Sequence, residues 1–301
     1  MTIYNNIGSN KRKTWILMIF FMLFFLAVSY VLGKSMGYGM SFVGIMLIVS
    51  GVMNWVSYYY SDKIVLSMSG AKPADKNDHR ELLDIVENLA IGSGLPKPSV
   101  YVINDPAPNA FATGRDPKHA AVCATTGILE KLSRSELEGV IGHELSHVKN
   151  YDTRVMGVVS ILAGSIVILS DFFMRSLWWG GNRDNDRNSN SSGLFLIIGI
   201  VAAILAPIAA TLIQLAISRR REFLADADGA LLTRYPEGLA RALEKIAADK
   251  NILKAASNAT AHLYIENPFK ADGSKKGRSF VANLFSTHPP IEERIKILRS
   301  M

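Results

Sequence analysis

The sequence His143-Glu144-Leu145-Ser146-His147, near the middle of the chain, decides how the rest is interpreted. On a helix, residues four positions apart lie one turn above each other on the same face. His143 and His147 can therefore direct two imidazole nitrogens towards one point, and zinc prefers such ligands. Glu144 lies about 100° around the helix from His143, where it can take a proton from a water molecule at the metal. The pattern predicts a zinc site able to hydrolyse a peptide bond.

The residues before the motif predict the helix that it needs. Ser133 and Glu136 form a capping-box pattern, with Ser133 as N-cap and Glu136 at the third helical position. Apolar side chains then recur at helical spacing, at Leu137, Ile141, Leu145 and Val148. The histidines and Glu144 lie off this stripe, so one face can pack while the other carries the chemistry.

A second acidic motif supplies the remaining ligand that a catalytic zinc site requires. Such sites normally have three protein ligands and one open position. Glu222 and Asp226 lie four residues apart on a predicted helix. Glu222 can be the third ligand, and Asp226 can accept the second ring N–H of a ligand histidine, which fixes its tautomer. Taken alone, two such acids more often belong to a solvated helix face, and only the first motif favours metal binding.

Several motifs in this order resemble the HtpX-type membrane zinc metalloproteases, gluzincins related to the CAAX prenyl proteases. The resemblance rests on H-E-L-S-H, on E-F-L-A-D at Glu222–Asp226, on Asn109–Ala112, on Ser286–Pro290 and on the hydrophobic N-terminus. It implies an α+β membrane protein, with a mainly helical zincin-like protease domain, a small β-sheet and about four transmembrane helices. It also implies one zinc ion and quality control of damaged or misfolded membrane proteins in a bacterial inner membrane.

Composition favours a membrane protein. The chain has 301 residues, 49% of them hydrophobic, and a net charge of +7. Its basic residues cluster beside hydrophobic spans and form no basic run interleaved with aromatic residues, so we expect contact with the lipid bilayer and none with nucleic acid. Cys123 is the only cysteine, which excludes an internal disulfide, and its apolar surroundings indicate a core residue rather than a nucleophile.

Four apolar stretches predict membrane spans, at 15–33, 38–59, 155–173 and 194–217. The first follows Lys11–Lys13, which places the N-terminus on the cytoplasmic side. The third is the weakest, because its uncharged part, 155–170, rises only about 24 Å as a helix. We divide the chain into two membrane helices (1–61), the first part of the protease domain (62–154), a hydrophobic helical hairpin (155–218) and the second part of the protease domain (219–301).

The metal motifs constrain the hairpin. His147 lies just before it and Glu222 just after it, so the chain must leave and return on the same side of the membrane if both residues bind one ion. Arg219–Arg221 at the return point fits a cytoplasmic end. The alternative is a hairpin that lies partly in the membrane or packs on the protease domain.

The soluble part predicts further helices and strands. Strands are predicted at 98–103, 109–113, 120–125 and, as a short one, 262–265; helices are predicted at 79–91, 236–249 and 290–298. The resemblance implies that the strand containing Asn109, Ala110, Phe111 and Ala112 is an edge beside the zinc. An unpaired edge can hydrogen-bond an extended substrate without reading its sequence. An ordinary short edge strand is an equally open interpretation.

His288 is a further candidate catalytic residue. Two prolines follow it, at Pro289 and Pro290, and they hold the backbone extended. One hypothesis is that His288 donates a hydrogen bond to the oxyanion, and a second is that it occupies the open zinc position in a resting state. A third is that it only packs against the terminal helix.

The sequence leaves alternatives for function open. The main prediction is a zinc endopeptidase acting on unfolded or membrane proteins at the cytoplasmic membrane face. A narrower alternative is a processing protease for one membrane or lipidated substrate. An alternative from another class is a non-catalytic membrane scaffold or channel, whose structural metal would have four protein ligands.

Overall fold

The computed structural model describes residues 3–35, 40–180, 219–253, 260, 263–265 and 289–301. The helices are α1 (Ile3–Ser35), α2 (Met40–Met68), α3 (Arg80–Ser93), α4 (Thr126–Lys131), α5 (Arg134–Lys149), α6 (Asp152–Gly180), α7 (Arg219–Thr233), α8 (Pro236–Ala248) and α9 (Ile291–Leu298). The strands are β1 (Lys72–Pro73), β2 (Ser99–Ile103), β3 (Ala110–Thr113) and β4 (Ala121–Thr125). A short 3-10 helix spans Pro117–His119.

The described strands form one small mixed sheet in the order β1-β2-β4-β3. β2 and β4 are parallel, and the two outer pairs are antiparallel. The sheet confirms the three longer predicted strands. It adds β1, whose two residues are too few to show an alternating pattern. The prediction of a short strand at 262–265 is wrong, because residues 263–265 do not form a strand. Among these three residues, only Ile265 contacts the sheet through its backbone, by donating its N–H to Ala110 O.

Three long helices pack together beside this sheet. Buried apolar residues of α1 and α6 form one cluster, with Phe21 and Leu162 among its most buried members. Two helical segments are long and apolar enough to cross a membrane, Ile7–Tyr30 and Met40–Met68, among the residues that were described. Only 28% and 17% of their apolar windows are buried. Their exposed faces are therefore too extensive for the core helices of a water-soluble protein.

The helix ends differ from the predicted spans. α1 begins at Ile3 and runs through Lys11–Lys13, and α2 continues to Met68, past the predicted boundary between 61 and 62. Hydropathy identifies only the apolar part of a helix. The helix itself can continue into water, because its backbone hydrogen bonds are made within the helix. α6 covers the third predicted span as one helix of 29 residues. The fourth, 194–217, lies outside the described residues, so four transmembrane helices are not confirmed.

The motif helix α5 lies at the centre of the soluble part. Its predicted capping box is present, with Ser133 N–H donating to Glu136 Oε2 at 2.8 Å. The predicted apolar stripe is buried in the main core, where α5 packs against β3, β4, α3, α7 and α8. Cys123 is fully buried in β4, and burial raises the pKa of its thiol, as expected for an unreactive core residue.

A close approach of two helices brings the metal motifs together. Gly142 of α5 and Gly229 of α7 face each other, and a Cβ on Gly229 would lie 2.8 Å from the backbone N of His143. Neither backbone can yield at that distance without moving a helix. The two glycines therefore let α7 present its acidic residues to the histidines.

Gly229→Ala is expected to destabilise the protein by about 1–3 kcal/mol, because the new methyl group forces α7 away from α5. The measurement is the midpoint of thermal unfolding in detergent. Gly92→Ala is the matched control: Gly92 is also helical, and its added Cβ would make only an ordinary contact of 3.5 Å with Leu232. Equal midpoints for the two variants would contradict the close-approach argument.

Candidate metal centre

The two histidines of the motif lie side by side in the interior. His143 and His147 occupy successive turns of α5, and both are almost fully buried. Their ring centroids are 4.7 Å apart, and their Nε2 atoms are 3.2 Å apart. The helix thus directs both Nε2 atoms to one point, as the spacing predicts.

α7 brings a carboxylate to the same point. Glu222 Oε1 lies 3.5 Å from His147 Nε2, and Glu222 Oε2 lies 3.7 Å from His143 Nε2. The donor atoms of His143, His147 and Glu222 all lie within 4.8 Å of one another, and all three residues are buried. The structure therefore gathers the three predicted ligands into one group.

The far nitrogen of each imidazole contacts a carboxylate. His143 Nδ1 lies 2.9 Å from Asp226 Oδ1, and His147 Nδ1 lies 3.1 Å from Asp152 Oδ2. When each Nδ1–H donates to its carboxylate, each Nε2 is left with a lone pair. In that tautomer, two lone pairs and a carboxylate converge in a buried space, an arrangement that suits a cation. Two nitrogens and one oxygen are also a donor set that zinc accepts, so these residues fit the metal.

Glu144 lies beside this group but outside it. It is buried, and the backbone N–H of Ala112 in β3 donates a hydrogen bond to its carboxylate. Burial raises its pKa, Glu222 adds to the rise, His147 and Ala112 oppose it, and the result is a pKa of about 7. A carboxylate with that pKa can accept and return a proton near neutral pH.

Comparison with known proteins identifies the family. Residues 76–301 match the description "Peptidase family M48". The chain belongs to peptidase family M48. A "Protease HtpX homolog" of Caldanaerobacter subterraneus subsp. tengcongensis is 48% identical, over 100% of this chain and 98% of its own length. Another of that name, from Tropheryma whipplei (strain Twist), is 47% identical over 99% of this chain and 98% of its own length.

A solved structure shows the same fold at lower similarity. The crystal structure of S. mikatae Ste24p superposes with a TM-score of 0.50 at 15% identity, covering 95% of this chain and 66% of that chain. The M48 membership confirms the predicted resemblance and the predicted enzyme class, a metalloendopeptidase. It also argues against the non-catalytic scaffold or channel.

Asp226 of this M48 peptidase is held by an arginine that the sequence analysis missed. Arg294 of α9 is fully buried, and its Nη2 and Nε donate to the two oxygens of Asp226 at 2.6 and 2.8 Å. Burial would raise the pKa of Asp226, but Arg294 and His143 outweigh it and lower the pKa to about 2. Asp226 is therefore an anion at neutral pH, as an acceptor for His143 Nδ1–H should be.

The two histidines respond differently to their surroundings. Burial lowers the pKa of His143, and the Asp226 hydrogen bond only partly opposes this. Burial also acts to lower the pKa of His147, but Asp152 and Glu222 outweigh it and raise the pKa to about 9. Because metal binding requires a neutral imidazole, a metal at this site would compete with a proton for His147.

Asp152 is the second residue that sequence reasoning missed. It follows His147 by five residues but lies beyond the end of α5, at the start of α6. The rule that residues four apart share a helix face therefore does not apply to His147 and Asp152, because they lie on different helices. The available signal in the sequence was an acidic residue a few positions after a candidate ligand histidine, a pattern too common to be specific.

β3 lies at one end of the described sheet, as predicted, and next to Glu144. Thr125 N–H donates to Asn109 O, so in an antiparallel ladder Ala110 and Ala112 direct their backbone groups away from β4. Ala110 N–H bonds to the Asn109 side chain at 3.1 Å, and Ala110 O accepts Ile265 N–H at 3.1 Å. The edge strand is therefore in place, with neighbouring parts of the chain already bonded to it.

Phe111 contributes to the core rather than to the open edge. Its ring meets the buried Tyr264 edge-on, with centroids 5.1 Å apart.

His288 lies outside the described residues, and its role remains a prediction.

Proposed function

We propose that this M48 peptidase is a zinc endopeptidase of a bacterial inner membrane, active at the cytoplasmic face on misfolded or damaged membrane proteins. One observation supports the metal above all others: the Nε2 atoms of His143 and His147 and the Glu222 carboxylate converge in a buried space, within 4.8 Å of one another. His143, His147 and Glu222 would hold zinc. Once bound, zinc would supply Lewis-acid activation of water and of the scissile carbonyl.

The other residues of the site would move the proton and hold the ligands. Glu144 would accept a proton from the attacking water and return it to the leaving amine, in keeping with its pKa of about 7. Asp226, fixed by Arg294, would hold the tautomer and orientation of His143. His288 remains a candidate oxyanion donor or resting-state ligand.

β3 is the candidate substrate-binding strand. The outward backbone groups of Ala110 and Ala112 could pair with an extended peptide, with Asn109 and Phe111 flanking them. For this, the peptide would replace Ile265 at Ala110 O. Recognition through backbone groups tolerates many sequences, which supports a broad set of unfolded substrates over a single processing target.

Basic and aromatic side chains at one end of the helical bundle support the cytoplasmic placement. The Arg154 guanidinium lies over the rings of Tyr58 and Tyr151, and the Arg115 guanidinium lies over Tyr59. Aromatic rings and cations of this kind concentrate at the membrane interface, and the cations at its cytoplasmic side. The metal centre lies next to this end, because α6 begins there at Asp152.

The proposed activity is tested with detergent-purified protein and several unrelated unfolded protein substrates. Chelation should abolish cleavage and added zinc should restore it. Cleavage of several substrates at many positions supports quality control, whereas cleavage of one substrate at one position supports the processing alternative. Cleavage that survives complete removal of metal would contradict the proposal.

Reporter fusions test the topology. A reporter joined after Ser69 or after Met301 is expected to be cytoplasmic, because Lys11–Lys13 holds the N-terminus inside and α1 and α2 form a hairpin. A reporter at Asn188 is expected to be exterior. The measurement is reporter activity on each side of the membrane. An exterior reporter at Ser69 would overturn the cytoplasmic site, and a cytoplasmic reporter at Asn188 would favour a hairpin that packs on the domain.

A further inference from the structure

The N-terminal membrane helix reaches the metal centre through one buried amide. Asn10 of α1 is 2% exposed. Its Nδ2 donates to Asp152 Oδ1 at 2.7 Å and to Asn150 O at 2.8 Å. The other oxygen of Asp152 contacts His147 Nδ1 at 3.1 Å. Asn10 is thus two hydrogen bonds away from a predicted ligand, across a sequence separation of 142 between Asn10 and Asp152.

The same carboxylate also connects to the third predicted ligand. Arg221 directly precedes Glu222 in α7, and its Nη1 donates to Asp152 Oδ1 at 2.9 Å and to Asn10 Oδ1 at 3.3 Å. Asn10, Asp152 and Arg221 therefore form a closed triangle of hydrogen bonds. One corner is in the membrane helix, one follows His147, and one precedes Glu222.

The turn that carries Asp152 is held against α1 at a second point. Tyr151 links α5 to α6 with a φ of 60°, a left-handed conformation that is unfavourable for a tyrosine. The ammonium of Lys11 lies 4.6 Å from the centre of its ring. α1 thus contacts both residues of this turn, Tyr151 through Lys11 and Asp152 through Asn10.

We infer that Asn10 is a positioning residue of the metal centre: it fixes Asp152, which in turn orients His147. α1 then supports the metal site as well as being a candidate membrane helix, and a displacement of Asn10 should lower metal affinity. The inference depends on the proposed zinc centre. Asn10 also lies outside residues 76–301, the part of the chain that matches the family description.

A double-mutant cycle on the full-length protein in detergent tests the coupling. Asp152→Ala should weaken zinc binding about 10- to 100-fold, as loss of a carboxylate behind a ligand histidine does. Asn10→Ala should weaken it about 5-fold, the effect of one typical hydrogen bond. In the double variant, Asn10→Ala should add almost nothing, because the residue acts through Asp152. The readout is zinc affinity by competition with a chromophoric chelator.

Asn54→Ala is the matched control, since Asn54 is another buried amide of the helical bundle. Its Nδ2 donates to Met18 O at 3.2 Å, which joins α2 to α1 away from the metal centre. It should leave zinc affinity unchanged even where it lowers the melting temperature. Unfolding of the chelator-treated proteins reports structural damage separately from metal affinity, and Asn10→Ser serves as a milder variant if Asn10→Ala does not fold.

The outcomes separate the inference from the proposed function. If wild-type zinc affinity does not depend on His143, the proposed metal centre itself is wrong. If it depends on His143 but Asn10→Ala and Asn10→Ser bind as tightly as wild type, only the role of Asn10 is overturned. A loss caused by Asn10→Ala that is equally large in the Asp152→Ala background would also overturn it.

Discussion

Glu144→Gln is expected to bind metal as tightly as wild type and to lose at least about 100-fold in turnover. Glutamine has the shape of glutamate and keeps an oxygen that can accept the Ala112 N–H. Glu144 is not one of the three clustered donors, so the metal retains its ligands. What the substitution removes is the group that accepts a proton. The measurements are metal content after gel filtration and the initial rate of cleavage of an unfolded protein.

Glu138→Gln is the control for a neutralised carboxylate on the same helix. Glu138 Oε1 accepts a hydrogen bond at 3.0 Å from Arg134 Nε, which lies one turn earlier in α5 and away from the histidines. It should retain wild-type metal content and turnover. Near-normal turnover of Glu144→Gln would exclude Glu144 as the base, and loss of metal from it would show that Glu144 serves as a ligand.

The parts of the site that the sequence predicts are those governed by local geometry. The capping box, the two histidines, and the Glu222–Asp226 spacing each follow from one helix at a time. Helical periodicity also finds the apolar face of α5, because burial on one face leaves a pattern in the residues themselves.

Arg294 and Asp152 are missed because their partners are defined only by tertiary structure. Arg294 lies 68 residues from Asp226 along the chain, in a short terminal helix whose charges resemble an ordinary solvated face. Its burial depends on how α9 packs against α7 and α8. The spacing of residues along the sequence does not show how these helices pack.

The ends of the membrane helices show a similar limit. The apolar windows locate α1 and α2, but the polar extensions at Ile3 and Met68 lie beyond the reach of hydropathy. The extension of α1 includes Asn10, which on sequence alone is one polar residue before a basic cluster. Its contact with Asp152 appears only when α1 packs against the start of α6.

The two candidate ligand histidines contact carboxylates that are anchored differently. Asp226 is fixed from the soluble domain by Arg294, whereas Asp152 is fixed by Arg221 and by the membrane helix through Asn10. The pKa of each carboxyl is lowered despite its burial, so both acceptors are anions at neutral pH. Metal affinity should therefore respond to changes in either part of the chain.

Glu222→Ala should have the largest effect on metal binding, because it removes one of three donors, whereas loss of the carboxylate behind His143 should cost only about 10- to 100-fold in affinity. For the latter, Asp226→Asn is a better variant than Asp226→Ala. Alanine would remove both oxygens that accept hydrogen bonds from the fully buried Arg294, so a loss of stability would be confused with a loss of metal. Asparagine removes the charge but keeps the size of the side chain and one oxygen as an acceptor for the guanidinium.

Asp228→Ala controls for damage to α7 itself, since Asp228 contacts Ser146 and Asn150 rather than the histidines. Zinc affinity by chelator competition should fall in the order wild type and Asp228→Ala, then Asp226→Asn, then Glu222→Ala. The reason is that Glu222 contributes an oxygen to the convergent group, while Asp226 contacts His143 at Nδ1, the nitrogen that faces away from that group. If Glu222→Ala retains wild-type affinity, the third ligand is another residue. If Asp226→Asn loses as much affinity as Glu222→Ala, the division into ligand and supporting carboxylate is wrong.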